Sequence, residues 1–170
     1  MAEFQDPQTL KQRDARAVST VTAPAGLFQC LVVSVARQRR QWLATAAVDG
    51  GWETVKFADP CQAAMFLQRR KVRLAIFDLE GTDGRKLPEL RELVAEMTTD
   101  KETLSIVCGH QGQTEEEIWA RQLGVWLYLP GVTEQSDVGF LCGEAKDLTT
   151  RMTDFGRVMG VRRDESHGSE

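Results

Sequence analysis

The residue best placed for chemistry is Asp78, a carboxylate that directly follows the apolar run Leu74–Phe77. A continuous run of bulky apolar residues is typical of a strand buried on both faces of a parallel sheet. Such sheets bind ligands outside the carboxyl ends of their strands, so Asp78 is a candidate ligand-binding residue. The alternative is a structural carboxylate that accepts hydrogen bonds from loop or helix N–H groups and pairs with Arg37 or Arg85.

Cys108 and His110 suggest a second chemistry, that of a thiol nucleophile with a neighbouring base. Residues i and i+2 of a strand share a face, but a nucleophilic site also needs an oxyanion hole, and no further motif supports one. Packing of a buried cysteine is the simpler interpretation. The wide spacing of the cysteines does not resemble a zinc site, and we expect no metal and no cofactor. We expect four buried, reduced thiols, at Cys30, Cys61, Cys108 and Cys142.

The elements that must position these residues alternate along the chain. Apolar or alternating runs predict five strands, over Phe28–Ala36, Trp52–Ala58, Arg73–Leu79, Leu104–Cys108 and Val125–Leu129. Helical spacing and capping residues predict five helices, over Gln38–Val48, from Asp59-Pro60 to about Arg70, from Leu87 to Met97, from a Thr114-x-x-Glu117 capping box to Leu123, and from Ser136-Asp137 to about Leu148. Strict alternation predicts a three-layer α/β domain, a doubly wound (βα)5 fold with a parallel five-stranded sheet, flavodoxin-like.

Composition sets the outer limits. The chain has 170 residues, with 25 Asp+Glu against 21 Lys+Arg, and a net charge of −4. This balance argues against a dedicated nucleic-acid binder. No apolar stretch approaches the roughly 20 residues that span a bilayer, and no apolar region marks a secretory signal. We therefore expect a cytoplasmic protein that binds neither nucleic acid nor membrane.

Polar segments flank the predicted domain. We expect a flexible N-terminal arm over residues 1–26, the α/β domain over residues 27–152 and a flexible C-terminal tail over residues 153–170. Two basic groups also stand out, one at Arg37, Arg39 and Arg40 and the other at Arg69, Arg70, Lys71 and Arg73. We interpret both groups as parts of a solvated surface that is balanced by the glutamates of the third and fourth helices.

Several of these features together resemble a response-regulator receiver domain. They are the (βα)5 alternation, Asp78 at the end of the third strand, Asp83-Gly84 shortly after it, and the segment LGVWLYLPG at Leu123–Gly131. The resemblance covers about residues 27–150. It implies that Asp78 occupies the phospho-acceptor position. It also implies that the face formed by the fourth helix, fifth strand and fifth helix is a docking and dimerisation surface.

The remaining family positions are degenerate. The resemblance implies an acidic pair that holds Mg²⁺ where this chain has Ser34 and Val35, or Val35 and Ala36 if the register slips by one residue. It implies a Ser or Thr at Cys108 or the following glycine, and a lysine at Leu129 before a proline. Valine supplies no oxygen ligand from its side chain, and phosphoryl transfer needs positive charge near the transferred group. The chain therefore resembles a pseudo-receiver.

The first functional hypothesis is a non-catalytic signalling or regulatory module that binds protein partners without conventional aspartyl phosphorylation. Trp119 and Tyr128 are candidate anchors for such a partner, and a second copy of the chain is one candidate. The alternatives are an atypical phospho-acceptor response regulator that uses Asp78, and a small thiol-dependent enzyme around Cys108 and His110.

Overall fold

The computed structural model describes residues 26–164, with side chains up to residue 155. The predicted N-terminal arm before Gly26 and the last six residues lie outside the described part. The strands are β1 (Gln29–Val33), β2 (Glu53–Phe57), β3 (Leu74–Asp78), β4 (Leu104–Gly109) and β5 (Leu127–Pro130). The helices are α1 (Arg37–Asp49), α2 (Pro60–Leu67), α3 (Leu87–Met97), α4 (Thr114–Leu123) and α5 (Gln135–Asp164).

The strands form one parallel sheet in the order β2-β1-β3-β4-β5. Helices α1 and α5 cover one face, while α2, α3 and α4 cover the other. Alternate residues of β1 enter the two cores, with Cys30 and Val32 on one side and Leu31 and Val33 on the other. Both faces of β1 are buried, which is why its sequence is continuously apolar. The predicted three-layer (βα)5 fold is confirmed.

The start of β5 differs from the prediction. Strand pairing begins at Leu127 instead of Val125, so Trp126 precedes the alternating part of the strand. Trp126 packs against the core beneath α1 and α5, together with Leu127 and Leu129, whereas Tyr128 packs against the opposite core. Regular alternation over the predicted strand Val125–Leu129 would place Trp126 and Tyr128 on the same side of the sheet, whereas the structure places them on opposite sides.

The capping residues predicted for two helices, α2 and α4, have different outcomes in the structure. The N-cap predicted at Asp59 is confirmed, because its Oδ1 accepts a hydrogen bond from the Cys61 N–H at 2.8 Å. The capping box predicted at Thr114 does not form, because the helix already begins at Thr114 and Gln113 is the N-cap residue. Glu117 pairs with Arg121 one turn further on instead.

The last helix, α5, continues to Asp164. Residues 153–164, which we expected to belong to a C-terminal tail, are therefore helical. None of the helices in residues 26–164 has the length and apolar character needed to cross a membrane.

Candidate functional site

Asp78 is the last residue of β3 and is completely buried. The register of the sheet aligns it with Cys108 on β4, which is in turn aligned with Leu129 on β5. Three of the positions that the receiver resemblance singles out therefore form one row across the carboxyl edge of the sheet. Cys108 is also buried, and Leu129 packs against the core beneath α1 and α5.

Two side chains bind the Asp78 carboxylate. The Ser34 hydroxyl, one residue beyond β1, donates a hydrogen bond to Oδ2 at 2.7 Å. The Nε–H of Arg39 on α1 donates to both carboxylate oxygens, at 3.1 Å to Oδ1 and 3.0 Å to Oδ2. A buried carboxylate needs such partners, because removing it from water without them is costly. Asp78 is therefore a paired carboxylate beneath the surface.

Arg39 links this carboxylate to the surface. Its side chain is 26% exposed, and its Nη2 lies 3.1 Å from Glu80 Oε2. Its guanidinium carbon lies 5.8 Å from the centroid of the Trp42 ring. Burial lowers the pKa of Arg39, and the hydrogen bond and charge of Asp78 raise it further than burial lowers it. The guanidinium is thus held as a permanent cation over Asp78.

The loop after β3 closes over the same carboxylate. The Thr82 hydroxyl donates to the Asp78 carbonyl oxygen at 2.6 Å, and the Ala36 N–H donates to the Gly81 carbonyl oxygen at 2.8 Å. A Cβ atom at Gly81 would overlap the Asp78 carboxylate and crowd the Ser34 hydroxyl. Glycine is therefore required here because the loop backbone lies directly against the buried carboxylate.

The arginine that pairs with Asp78 differs from the ones expected from the sequence. Asp78 is a structural carboxylate paired with an arginine, but that arginine is Arg39, so the candidate partners Arg37 and Arg85 are wrong. Arg39 precedes the buried Leu43 by four residues, which places both on the same face of α1. That helical spacing was the signal that could have identified Arg39 from the sequence.

The residues around Asp78 do not fit the Mg²⁺ site that the fold family implies. Ser34 and Val35 stand where an acidic pair would be needed, and Val35 contributes a backbone carbonyl that accepts a hydrogen bond from Arg40. Both oxygens of Asp78 are already bound by Arg39. A hard divalent cation prefers several oxygen ligands, whereas the charge next to this carboxylate is a guanidinium.

Cys108 and His110 do not form a nucleophile–base pair. The Cys108 thiol is buried, and desolvation together with the negative charge of Asp78 raises its pKa well above the ordinary value. His110 instead contacts Glu116 on α4. A reactive thiol needs access and a lowered pKa, and Cys108 has neither. The expectation of four buried thiols is also wrong for Cys61, which is exposed on the first turn of α2.

Glu116 is a second buried carboxylate, which the sequence analysis did not single out. It accepts hydrogen bonds from the His110 backbone N–H at 3.0 Å and from the Tyr128 hydroxyl at 3.2 Å. The His110 Nδ1 lies 3.1 Å from its Oε1, and Arg91 Nη2 lies 3.7 Å from the same oxygen. Glu116 thereby ties the loop after β4 to α3 and β5.

The candidate partner anchors are both half-buried. Trp119 packs against the core beneath α4, and the guanidinium carbon of Arg91 lies 5.0 Å from its ring centroid. Tyr128 packs directly over Gly109, where a Cβ atom would overlap its ring. Burial and, to a smaller extent, the charge of Glu116 raise the Tyr128 pKa to about 12.

One other cluster has metal-ligand chemistry. Oxygen or sulfur atoms of Asp59, Cys61 and Glu89 all lie within 4.8 Å of one another. The Lys86 ammonium lies 2.9 Å from Glu89 Oε2 and 3.4 Å from Asp59 Oδ2. This cluster therefore already contains a cation from the chain itself.

No protein-family model matches the chain, and no curated protein matches it in sequence. The fold, by contrast, is shared with many solved structures. A response regulator receiver domain protein (CheY-like) from Methanospirillum hungatei JF-1 is 16% identical with a TM-score of 0.62, over 73% of this chain and 97% of that one.

Two further structures show how widely the fold is used. NtrX from Brucella abortus in complex with ATP is 18% identical with a TM-score of 0.64, and the match covers 76% of this chain but 29% of NtrX. A structure described as adenylate cyclase from Rhodopirellula baltica is 12% identical with a TM-score of 0.62, over 78% of this chain and 97% of that one. These identities show a receiver-like fold and leave the activity of this chain to its own residues.

Proposed function

We propose that this chain is a non-catalytic, receiver-like regulatory module that binds protein partners without phosphorylation of Asp78. The observation that carries the proposal is the state of the Asp78 carboxylate. It is completely buried, Arg39 binds both of its oxygens, and Ser34 binds one of them. The receiver-like fold supports a regulatory role, since the solved structures with this fold include response regulators.

Phosphoryl transfer to Asp78 would meet two obstacles. A carboxylate oxygen must reach an incoming phosphorus atom in line with its leaving group, and positive charge must stabilise the transferred oxygens. Here the loop backbone at Gly81 lies against the carboxylate. Arg39 is the cation that contacts this carboxylate, and it is already paired with Asp78. It is therefore not available to stabilise the oxygens of a transferred phosphoryl group. The site therefore favours a permanent ion pair over a reversible phosphorylation cycle.

For the partner surface we propose the face of α4, β5 and α5. Strand β5 is at the edge of the sheet, and each of its residues is at least partly exposed. The neighbouring helices carry two exposed apolar side chains, Ile118 at 50% and Phe140 at 69%. Trp119 and Tyr128 would then support the surface from below. Exposed apolar groups near half-buried aromatic residues are typical of protein-binding patches.

Intact-mass spectrometry after incubation with Mg²⁺ and acetyl phosphate tests the proposal. We expect no phosphoryl adduct on the wild-type chain, and none on Asp78→Asn. An adduct on the wild type that is lost in Asp78→Asn would overturn the proposal and establish an atypical phospho-acceptor. The variant Arg39→Ala is the informative third sample, because an adduct on it alone would show that Arg39 is what prevents phosphorylation.

The partner surface is tested by light scattering and by partner binding of surface variants. Ile118→Glu and Phe140→Glu should abolish self-association or partner binding while leaving the unfolding midpoint unchanged, since both side chains point into solvent. Val48→Glu, a substitution of another exposed apolar residue on α1, is the matched control. Equal loss of binding in the control would count against the proposed face.

A further inference from the structure

An open cleft of about 530 Å³ lies at the amino edge of the sheet, opposite Asp78. Its wall includes the starts of β1 and β2, the segment between α2 and β3, and one residue of α5. Four cationic residues line it, namely Arg69, Arg70, Lys71 and Arg73, with Glu53 as the acidic residue of the lining. The basic group that the sequence analysis singled out therefore lies around a cavity.

Three of the four cations of this cleft have no ion-pair partner among the described side chains. Arg73 pairs with Glu102 at 2.7 Å, but Arg69, Arg70 and Lys71 form no ion pair with any carboxylate in the part of the chain that the structure describes. None of the glutamates of α3 and α4, which we expected to balance this group, forms an ion pair with Arg69, Arg70 or Lys71, and two of them have other partners. Glu89 pairs with Lys86, and Glu117 pairs with Arg121.

A structural role accounts for only part of this charge. Cations near the carboxyl end of a helix interact favourably with its unpaired carbonyl groups, and this effect decreases within one turn. Helix α2 ends at Leu67, and the N–H groups of Arg69 and Arg70 both donate to the Phe66 carbonyl oxygen. Three adjacent exposed cations are more than the carbonyl groups at the carboxyl end of α2 can stabilise. The excess charge faces the cleft.

We propose that this cleft binds an oligophosphate, a small molecule with two or more linked phosphate groups. Arginine presents its N–H donors in a fork that matches phosphate oxygens, and lysine adds a point charge. The volume lies within the usual range for small-ligand sites. Among the described residues of the lining, Leu27 is the one large apolar side chain, and none is aromatic. Affinity must therefore come from charge and decrease with salt.

Isothermal titration calorimetry with inorganic tripolyphosphate tests this site in the full chain. At an ionic strength of about 25 mM we expect a Kd of roughly 100 μM or below, rising about tenfold at about 200 mM. The double variant Arg69→Gln/Arg70→Gln should weaken binding by about tenfold or more. The double variant Arg37→Gln/Arg85→Gln is the matched control, because it removes the same charge at exposed positions away from the cleft. It should change the Kd by less than about twofold.

Three results would overturn the proposal. One is a wild-type Kd above about 1 mM at low salt, which would mean that the cleft does not hold phosphate groups. Another is equal weakening in both double variants, which would show an effect of net charge without a site. The third is tighter binding of a decaglutamate peptide than of tripolyphosphate, which would identify an acidic protein segment as the ligand. Circular dichroism of each variant checks that the fold is retained.

Discussion

At the carboxyl edge of the sheet, the buried Asp78 is paired with Arg39, whereas at the amino edge Arg69, Arg70 and Lys71 pair with no described carboxylate. The difference follows from exposure to water. An unpaired charge is expensive in the core but inexpensive in solvent. The ion pair at the carboxyl edge therefore stabilises the fold, while the cations at the amino edge can bind a ligand.

The largest effect should come from removing Arg39. Arg39→Ala leaves Asp78 buried without its cation, and we expect the free energy of unfolding to decrease by about 3 kcal/mol. Urea denaturation measures this change. The double variant Arg39→Ala/Asp78→Ala should lose less than the sum of the two single variants, because it leaves no unpaired charge. A loss below about 1 kcal/mol for Arg39→Ala would show that the ion pair is not structural.

A smaller loss is expected where the loop meets the carboxylate. Gly81→Ala adds a methyl group that overlaps Asp78, and we expect about 2 kcal/mol of destabilisation from this overpacking. Gly84 lies in the same loop, and its Cβ position has no neighbour within 4 Å, so Gly84→Ala is the matched control. Similar unfolding midpoints for the two variants would contradict the close packing of the loop on Asp78.

The Glu116 cluster gives a spectroscopic measure of a second buried carboxylate. Tyr128 is the only tyrosine of the chain, so ultraviolet titration of tyrosinate reports directly on its pKa, which burial and Glu116 raise to about 12. Since the folded chain holds this proton more tightly than the unfolded chain, whose tyrosine titrates near 10, stability should decrease as the pH rises through this interval. Glu116→Gln should lower the titration midpoint while leaving it above 10, because burial remains. An unchanged midpoint would exclude the influence of Glu116.

The smallest effect on folding is expected at the amino edge. Arg69→Gln/Arg70→Gln should change the free energy of unfolding by less than about 0.5 kcal/mol, because both side chains are exposed and have no ion-pair partner among the side chains of residues 26–155. Urea denaturation beside the Arg39→Ala variant makes the comparison directly. A loss comparable to that of Arg39→Ala would mean that the two edges do not differ.

Periodicity and capping residues alone predicted the order of all ten elements, because burial on both sheet faces leaves continuous apolar runs and helix ends carry local signals. The N-cap at Asp59 is an example, since its partner is two residues away. Asp78 could be identified as an unusual residue for the same reason, as a carboxylate directly after an apolar strand.

The partners of these residues depend on the tertiary structure. Arg39 meets Asp78 across 39 residues of sequence, and Ser34 meets it across 44. The basic residues after α2 surround a cleft only because β1, β2 and α5 come together beside them. The sequence determined the elements, since their signals are local. The tertiary structure decided which of the described charges are paired and which are not, since those contacts join residues that are distant in sequence.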